Sequence, residues 1–442
     1  SGPAGKSRRT TCGGRDSVSA PWDTGQIPGM TTKGRAVKLT HIAITNWRNF
    51  AHIEFDLSSR LFVIGPNSSG KTNLLAALRF LSDVARLGLA AASENWGGPE
   101  RYFRSGTEKV SFGVALESAE NLLTCTLSLR HDFSDASSRV QEEVVYYREP
   151  QFPMYSFAPM RGRGIDIDSQ SFAVEPKAIV TTDEQARAKN GIYFALPDDD
   201  TCFAHEGYVV RSRQEWRERV RQMFAGIRYI HPNPKKMLER ADRYDPDHGT
   251  GFCQHAGRFS DQQLDAVVDR IRPIMASVGP EIPNLSYQRM GLGTELVFYS
   301  DTPVRGATGV YSHEQFSEGT LRLLGLLFDL ATLPRDTSVV LIEEPETFLQ
   351  ASVVRSLPSL LAEVAVDRDV QMVISTHSPE LIDSELVLPS QVLMLRSENG
   401  ETRGELLSQS NDPRIKAVVS SGLPKSEGID AVNGRTIPLG TW

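Results

Sequence analysis

Eight consecutive residues, Gly65-Pro66-Asn67-Ser68-Ser69-Gly70-Lys71-Thr72, place two glycines, a cation and a hydroxyl at the spacing G-x-x-x-x-G-K-[ST]. The glycines let the backbone wrap with its N–H groups turned inward, which is what a polyphosphate needs. Lys71 then reaches the β- and γ-phosphates, and the Thr72 hydroxyl is placed to ligate Mg²⁺. The apolar run Leu61-Phe62-Val63-Ile64 precedes the loop as a buried strand, and Asn73 opens the helical pattern Asn73-Leu74-Leu75-Ala76-Ala77-Leu78. Strand, glycine-rich turn and helix in that order imply a nucleoside triphosphate site.

A second apolar run, Ser338-Val339-Val340-Leu341-Ile342, ends in Glu343 and Glu344, followed by Pro345 and Glu346. Triphosphate hydrolysis needs one carboxylate for the metal and another to orient and deprotonate the attacking water. Successive strand residues point to opposite sides, so adjacent acids can do both jobs. Glu343 is assigned to the metal with Thr72, and Glu344 to the water. Phe316-Ser317-Glu318-Gly319-Thr320-Leu321-Arg322 leads into an apolar helix at Leu323–Leu330. Ser317 is its expected N-cap, and the amides of Ser317, Glu318 and Gly319 make an anion-binding helix start. Val373-Ile374-Ser375-Thr376-His377-Ser378-Pro379-Glu380 ends a further apolar strand, with His377 at its tip.

These motifs, in this chain order, resemble the ABC-type ATPases of the group containing RecF, SMC proteins and OLD-family nucleases. Gly65-Pro66-Asn67, the early Ile44-Thr45-Asn46-Trp47-Arg48-Asn49-Phe50, Glu344-Pro345-Glu346 and Thr376-His377-Ser378-Pro379 carry the resemblance. It implies an α/β fold: an ABC-type ATPase head with a mixed central sheet flanked by helices, plus an antiparallel β lobe. It also implies ATP and Mg²⁺ as cofactors, residues 65–73 around the nucleotide and Ser317–Gly319 as the signature loop. His377 becomes the switch histidine, catalytic beside Glu344. Two departures stand out. Glu343 occupies a position where Asp is usual, and Phe348-Leu349-Gln350 replaces the usual Leu-His-Pro of a dimer-contacting loop. No glutamine lid is evident, although Tyr102-Phe103-Arg104 stands roughly where one belongs.

The elements that must position these groups divide the chain of 442 residues into two or three compact units. Residues 1–35, polar and without periodicity, read as a disordered or added leader, with Met30 a candidate start. Residues 36–150 form the first ATPase lobe, with strands expected at 37–57, 110–116, 122–129 and 143–147. Residues 151–285 are an insertion, 286–395 the second lobe and 396–442 a tail. Relatives with long coiled coils carry them at the insertion. Here Pro150, Pro153, Pro159, Pro176 and Pro197 forbid one, so a compact, mainly helical insertion is expected. Within it, a helix over Arg211–Phe224 sets Arg213, Arg217 and Arg221 on one face, with Arg228, Lys235, Lys236, Arg240 and Arg243 following. Such a face is either solvated and moderated by Glu215 and Glu218, or a phosphate-backbone or partner surface. Cys202, His205, Cys253 and His255 could supply zinc ligands, but their spacing fits no standard finger.

The most apolar stretch, Leu321–Leu333, is broken by Arg322 and Asp329 and is too short to span a bilayer, so no membrane role is expected. Four scattered cysteines make no disulfide framework and suit a reducing cytoplasm. The net charge of −7 does not advertise DNA binding, though DNA remains possible through a local patch. Too few residues follow His377 for the metal-binding nuclease domain of OLD-family proteins, so no nuclease is expected in cis. The resemblance therefore points to a dimeric or higher homo-oligomeric ATP switch with composite sites, controlling an effector in trans, a nuclease. Stand-alone ATPase subunits of anti-phage systems, AriA-like ATPases among them, are of this kind. A RecF-like DNA clamp and an assembly scaffold with little turnover are the alternatives.

Overall fold

The computed structural model describes residues 37–117, 121–134, 141–150, 192–195, 212–245, 247–278, 282, 284–290, 295–304, 307–398 and 401–433. Along the chain, β1 (Lys38–Trp47), β2 (Phe50–Asp56) and β3 (Arg60–Ile64) lead into α1 (Lys71–Leu87) and α2 (Leu89–Asn95). β4 (Lys109–Glu117), β5 (Asn121–Arg130), β6 (Gln141–Pro150) and β7 (Ile192–Ala195) follow, then α3 (Ser212–Ala225), β8 (Arg228–Ile230) and α4 (Pro234–Met237). Next come α5 (Phe252–Ala256), α6 (Asp261–Val278), β9 (Leu285–Met290), β10 (Glu295–Val304), β11 (Ala307–Ser312) and α7 (Glu318–Ala331). The chain continues with β12 (Val339–Glu343), α8 (Ala351–Val354), α9 (Leu357–Asp367), β13 (Gln371–Thr376) and α10 (Pro379–Ile382). It closes with β14 (Val392–Glu398), β15 (Glu401–Leu406), α11 (Pro413–Ser421) and α12 (Lys425–Asn433).

The central sheet has the order β15-β14-β3-β13-β12-β8. Its strands pair in parallel except β15, which is antiparallel on β14. Strands buried on both faces read as unbroken apolar runs, and the alternation appears instead in which core each residue enters. Phe62, Ile64, Val340, Ile342, Met372 and Ile374 join one core, with α6, α7 and α9 over it. Leu61, Val63, Val339, Leu341 and Val373 join the other, under α1, α3 and the antiparallel lobe. That lobe is a sheet of order β2-β1-β4-β5-β6-β7, and β11-β10-β9 forms a third, smaller sheet.

Register then aligns the chemistry. Thr376 pairs with Ile64 and Glu343 with Ser375, so the phosphate loop, the acidic pair and His377 all leave the sheet at one edge.

Two expected boundaries are corrected. β8, inside the stretch read as an insertion, is a strand of the central sheet, because Tyr229 and Ile230 pair with Leu341 and Ile342. The stretch read as a tail is structured through Asn433: β15 adds the last strand to the sheet beside β14, and Ile415 of α11 and Ile429 of α12 enter the core. Within 151–285, most of 151–211 lies outside the described residues, and the rest carries α3, α4, α5 and α6. The expected leader also lies outside them.

Candidate nucleotide site

The phosphate loop turns through Gly70 at φ 101°, a left-handed conformation that suits glycine, and Gly70 caps α1. Asn67 and Ser68 are exposed at its tip, Pro66 is half-buried, and Gly65, Ser69 and Lys71 are buried. Lys71 Nζ donates to the carbonyls of Gly65 (2.9 Å) and Pro66 (3.1 Å) and lies 3.4 Å from His377 Nδ1. Ser69 Oγ is buried with no hydrogen-bond partner. An orphan hydroxyl in this glycine-rich loop fits a phosphate oxygen.

Thr72 Oγ1 donates to Glu343 Oε1 at 2.5 Å. The other carboxylate oxygen, Oε2, accepts from the Tyr229 hydroxyl and lies 4.0 Å from His231 Nδ1. A hydroxyl and a carboxylate held together are hard oxygen donors, the set Mg²⁺ prefers. Thr72 and Glu343 therefore fit the metal. Burial, then the neighbouring Glu343 charge, pushes the Tyr229 phenol up, so it stays a donor. Burial, then Arg322, holds His231 below the usual imidazole range.

Glu344 turns away at φ 44°, a strained backbone for a residue with a side chain. His377 Nε2 and Glu344 Oε1 are 2.8 Å apart. An ammonium can only donate, so the His377 Nδ1 facing Lys71 accepts and Nε2–H donates to Glu344. Glu346 fixes the histidine from below: its Oε1 accepts from Thr376 Oγ1 and from the His377 amide, each at 2.7 Å.

Ser317 caps α7, its Oγ accepting from the Thr320 amide at 3.2 Å, and Glu318 lies 3.8 Å from Lys235. Gly319 packs against the acidic turn, where a Cβ would overlap the Phe348 carbonyl oxygen. Arg322, 3% exposed, reaches across with Nη2 to the carbonyls of Glu343 (3.0 Å) and Glu344 (2.9 Å) and with Nη1 to that of Pro232 (3.1 Å).

Some expected residues point elsewhere. The Asn73 side chain is taken by the β1–β2 turn, accepting from Arg48 (3.0 Å) and donating to Asn49 (2.6 Å), so it braces the loop. Tyr102 is fully buried among Trp47, Phe80 and Phe103 and is no lid. Cys253 is buried 3.1 Å from His313 Nε2, and burial pushes its thiol up to about 12. His255 stacks on Tyr244. No group of three or more His, Cys, Asp or Glu able to hold a metal ion occurs among the described residues, and Cys202 and His205 lie outside them. Among the described side chains of the basic stretch, Arg221 pairs with Glu218, Arg228 with Asp336, Lys236 with Glu239 and Arg240 with Glu295, while those of Arg213 and Arg217 lie outside the description. The sequence reading quoted Glu346 and Arg322 within motifs without giving them a role at the site, and it missed Tyr229 and His231, which carry no local signal.

A family described as "AAA domain, putative AbiEii toxin, Type IV TA system" matches residues 61–128 and 184–383. The chain belongs to this family. Its motifs resemble those of the RecF, SMC and OLD group, and two curated proteins match short stretches of it. The DNA replication and repair protein RecF of Leptospira interrogans is 40% identical over 74 residues, 16% of this chain and 20% of that one. Endonuclease GajA of Bacillus cereus is 45% identical over 47 residues, 11% of this chain and 8% of GajA. The chain thus spans a fifth or less of the curated relatives it matches. Solved SMC heads are similar in outline. One, bound to the C-winged helix domain of ScpA, has a TM-score of 0.48 at 11% identity and covers 83% of this chain and 97% of its own. Another, from Thermotoga maritima, has a TM-score of 0.38 at 13% identity, covering 84% of this chain and 98% of its own. No helix among the described residues is long and apolar enough to cross a membrane.

Proposed function

We propose that this AAA-family chain is a Mg²⁺-dependent ATPase that works as a dimeric switch for a separately encoded effector. The observation carrying the ATPase reading is the row Lys71–His377–Glu344, with contacts of 3.4 and 2.8 Å at one sheet edge. Lys71 and the loop amides bind the triphosphate. Glu344, oriented by His377, accepts the proton of the attacking water, and His377 is in turn positioned by Glu346. Mg²⁺, held by Thr72 and Glu343, supplies charge neutralisation on the phosphate oxygens.

The dimer reading rests on the exposed Ser317 and Glu318 at the N-terminus of α7 and on Phe348, 58% exposed beside Gly319. These surfaces suit the composite site of related ATPases. The anti-phage role, the cytoplasmic setting and the nuclease partner rest on the motif resemblance; the local likeness to Endonuclease GajA is compatible with them.

Glu344→Gln tests both halves. The amide keeps the shape but cannot accept the proton, so turnover should fall by about 10²-fold or more with ATP affinity retained. Light scattering should show the variant held as an ATP-dependent dimer. Unchanged turnover would remove Glu344 from the water, and a monomer in saturating ATP would remove the switch.

A further inference from the structure

We infer that Tyr229 is a positioning residue for the metal-binding carboxylate Glu343, held in place by an Arg79–Asp247 brace. This rests on the Mg²⁺-ATPase reading above. Glu343 ends β12, where a free carboxylate could swing between rotamers. Here both oxygens are engaged: Oε1 by Thr72 at 2.5 Å and Oε2 by the Tyr229 hydroxyl. The plane of the carboxylate is thus set from two sides, by the phosphate loop and by β8.

The register makes this possible. Tyr229 pairs with Leu341 and Ile230 with Ile342, so Tyr229 lies close to the β12 end while its ring covers the α1 side of the sheet. There the Arg79 guanidinium of α1 stacks over the ring, 4.1 Å from its centroid. Arg79 is ion-paired with Asp247, whose backbone amide is tied to Asp245 Oδ1 at 2.9 Å. Helix α1 and strand β8 therefore meet on one phenol ring, whose polar end reaches the metal carboxylate, while Asp247 holds the Arg79 that covers it.

An ordinary core tyrosine would also seek a partner for its hydroxyl, so the test must separate hydroxyl from ring. Tyr229→Phe keeps the ring and its stacking and frees Oε2. Outer-sphere partners of metal ligands are typically worth 10–100-fold in metal affinity or activity. The Mg²⁺ concentration giving half-maximal ATP turnover should rise about 10-fold or more in the Tyr229→Phe variant of the chain. Binding of a fluorescent ATP analogue in EDTA should match that of the unmutated chain, because the phosphate loop is untouched. Asp247→Asn, which loosens the brace without altering the hydroxyl, should shift the Mg²⁺ midpoint the same way by a smaller factor. It carries the test if Tyr229→Phe does not fold. Tyr229→Phe with an unshifted midpoint overturns the proposal. So does parallel loss of turnover and metal-free nucleotide binding, which marks a structural role. Absence of Mg²⁺-dependent turnover in the unmutated chain would instead refute the ATPase reading, and the proposal with it.

Discussion

Replacing Arg322 by methionine keeps most of the side-chain volume and removes three hydrogen bonds at once. The guanidinium sits in α7 at 3% exposure and holds the carbonyls of Pro232, Glu343 and Glu344 at 2.9 to 3.1 Å. Bonds to a charged group contribute about 1.5–3 kcal/mol each, and a buried carbonyl left unpaired costs about 1–3 kcal/mol. Against that, desolvating the cation is itself expensive, by several kcal/mol in typical interiors. Burial indeed holds Arg322 below the usual guanidinium range. The terms partly cancel, leaving a net loss of about 2–4 kcal/mol for Arg322→Met.

Lysine offers a point charge in place of a planar fork and cannot serve both sides of the turn, so Arg322→Lys should recover only part of the loss. The effect on chemistry should be sharper than on stability. Glu344 is held at φ 44°, and Arg322 grips the carbonyl beside that strained residue. Once released, the turn relaxes and the Glu344 carboxylate leaves His377. Urea unfolding should show the stability loss, and steady-state kinetics a kcat lower by about 10²-fold with nucleotide affinity nearly unchanged. A methionine variant within about 1 kcal/mol of the parent and with full kcat would show that the turn is held by something else.

Two further outcomes follow. Gly319→Ala should lower stability by about 1–3 kcal/mol in thermal unfolding, because the new methyl meets the rigid Phe348 carbonyl. An unchanged Tm would show that α7 can slide away from the acidic turn. Asp329 of α7 accepts from the Tyr244 hydroxyl at 2.8 Å, and although the residue's edge is partly exposed, its carboxyl is enclosed and burial pushes it up to about 7. The folded form therefore holds a proton that the unfolded chain releases near pH 4. Stability should fall as pH rises from about 4 to 7, by at most about 4 kcal/mol, and level off above. Asp329→Asn should flatten that window in denaturant titrations; an equal slope in both proteins would place the pH dependence elsewhere.

The phosphate loop, the acidic pair and the histidine were legible because each is announced by its own apolar strand. Leu61–Ile64 and Val339–Ile342 are short, unbroken apolar runs with their chemistry at the next residue, and β13 carries the apolar run Met372–Ile374 shortly before His377. Local order is enough to read such a site. The tail hid its structure because α11 and α12 enter the core mainly through single residues, Ile415 and Ile429. β8 hid for another reason. Three residues, Arg228–Ile230, are too few to show a period, and they follow an arginine-rich helix. Only pairing with β12 reveals that Tyr229 belongs beside Glu343.

The same blindness produced the basic patch. Arg228 finds Asp336 and Arg240 finds Glu295, acids 108 and 55 residues away along the chain. Counting charges along one stretch registers the cations and misses acids that folding delivers from another lobe. At these residues the stretch, left open between a solvated face and a phosphate or partner surface, is instead a seam stitched to the ATPase core. Arg79 completes the seam beside the phosphate loop itself, pairing across 168 residues with Asp247. The stretch that looked inserted between the halves of the nucleotide site is thus anchored to both, and a change at Glu343 has a direct mechanical route into it through Tyr229.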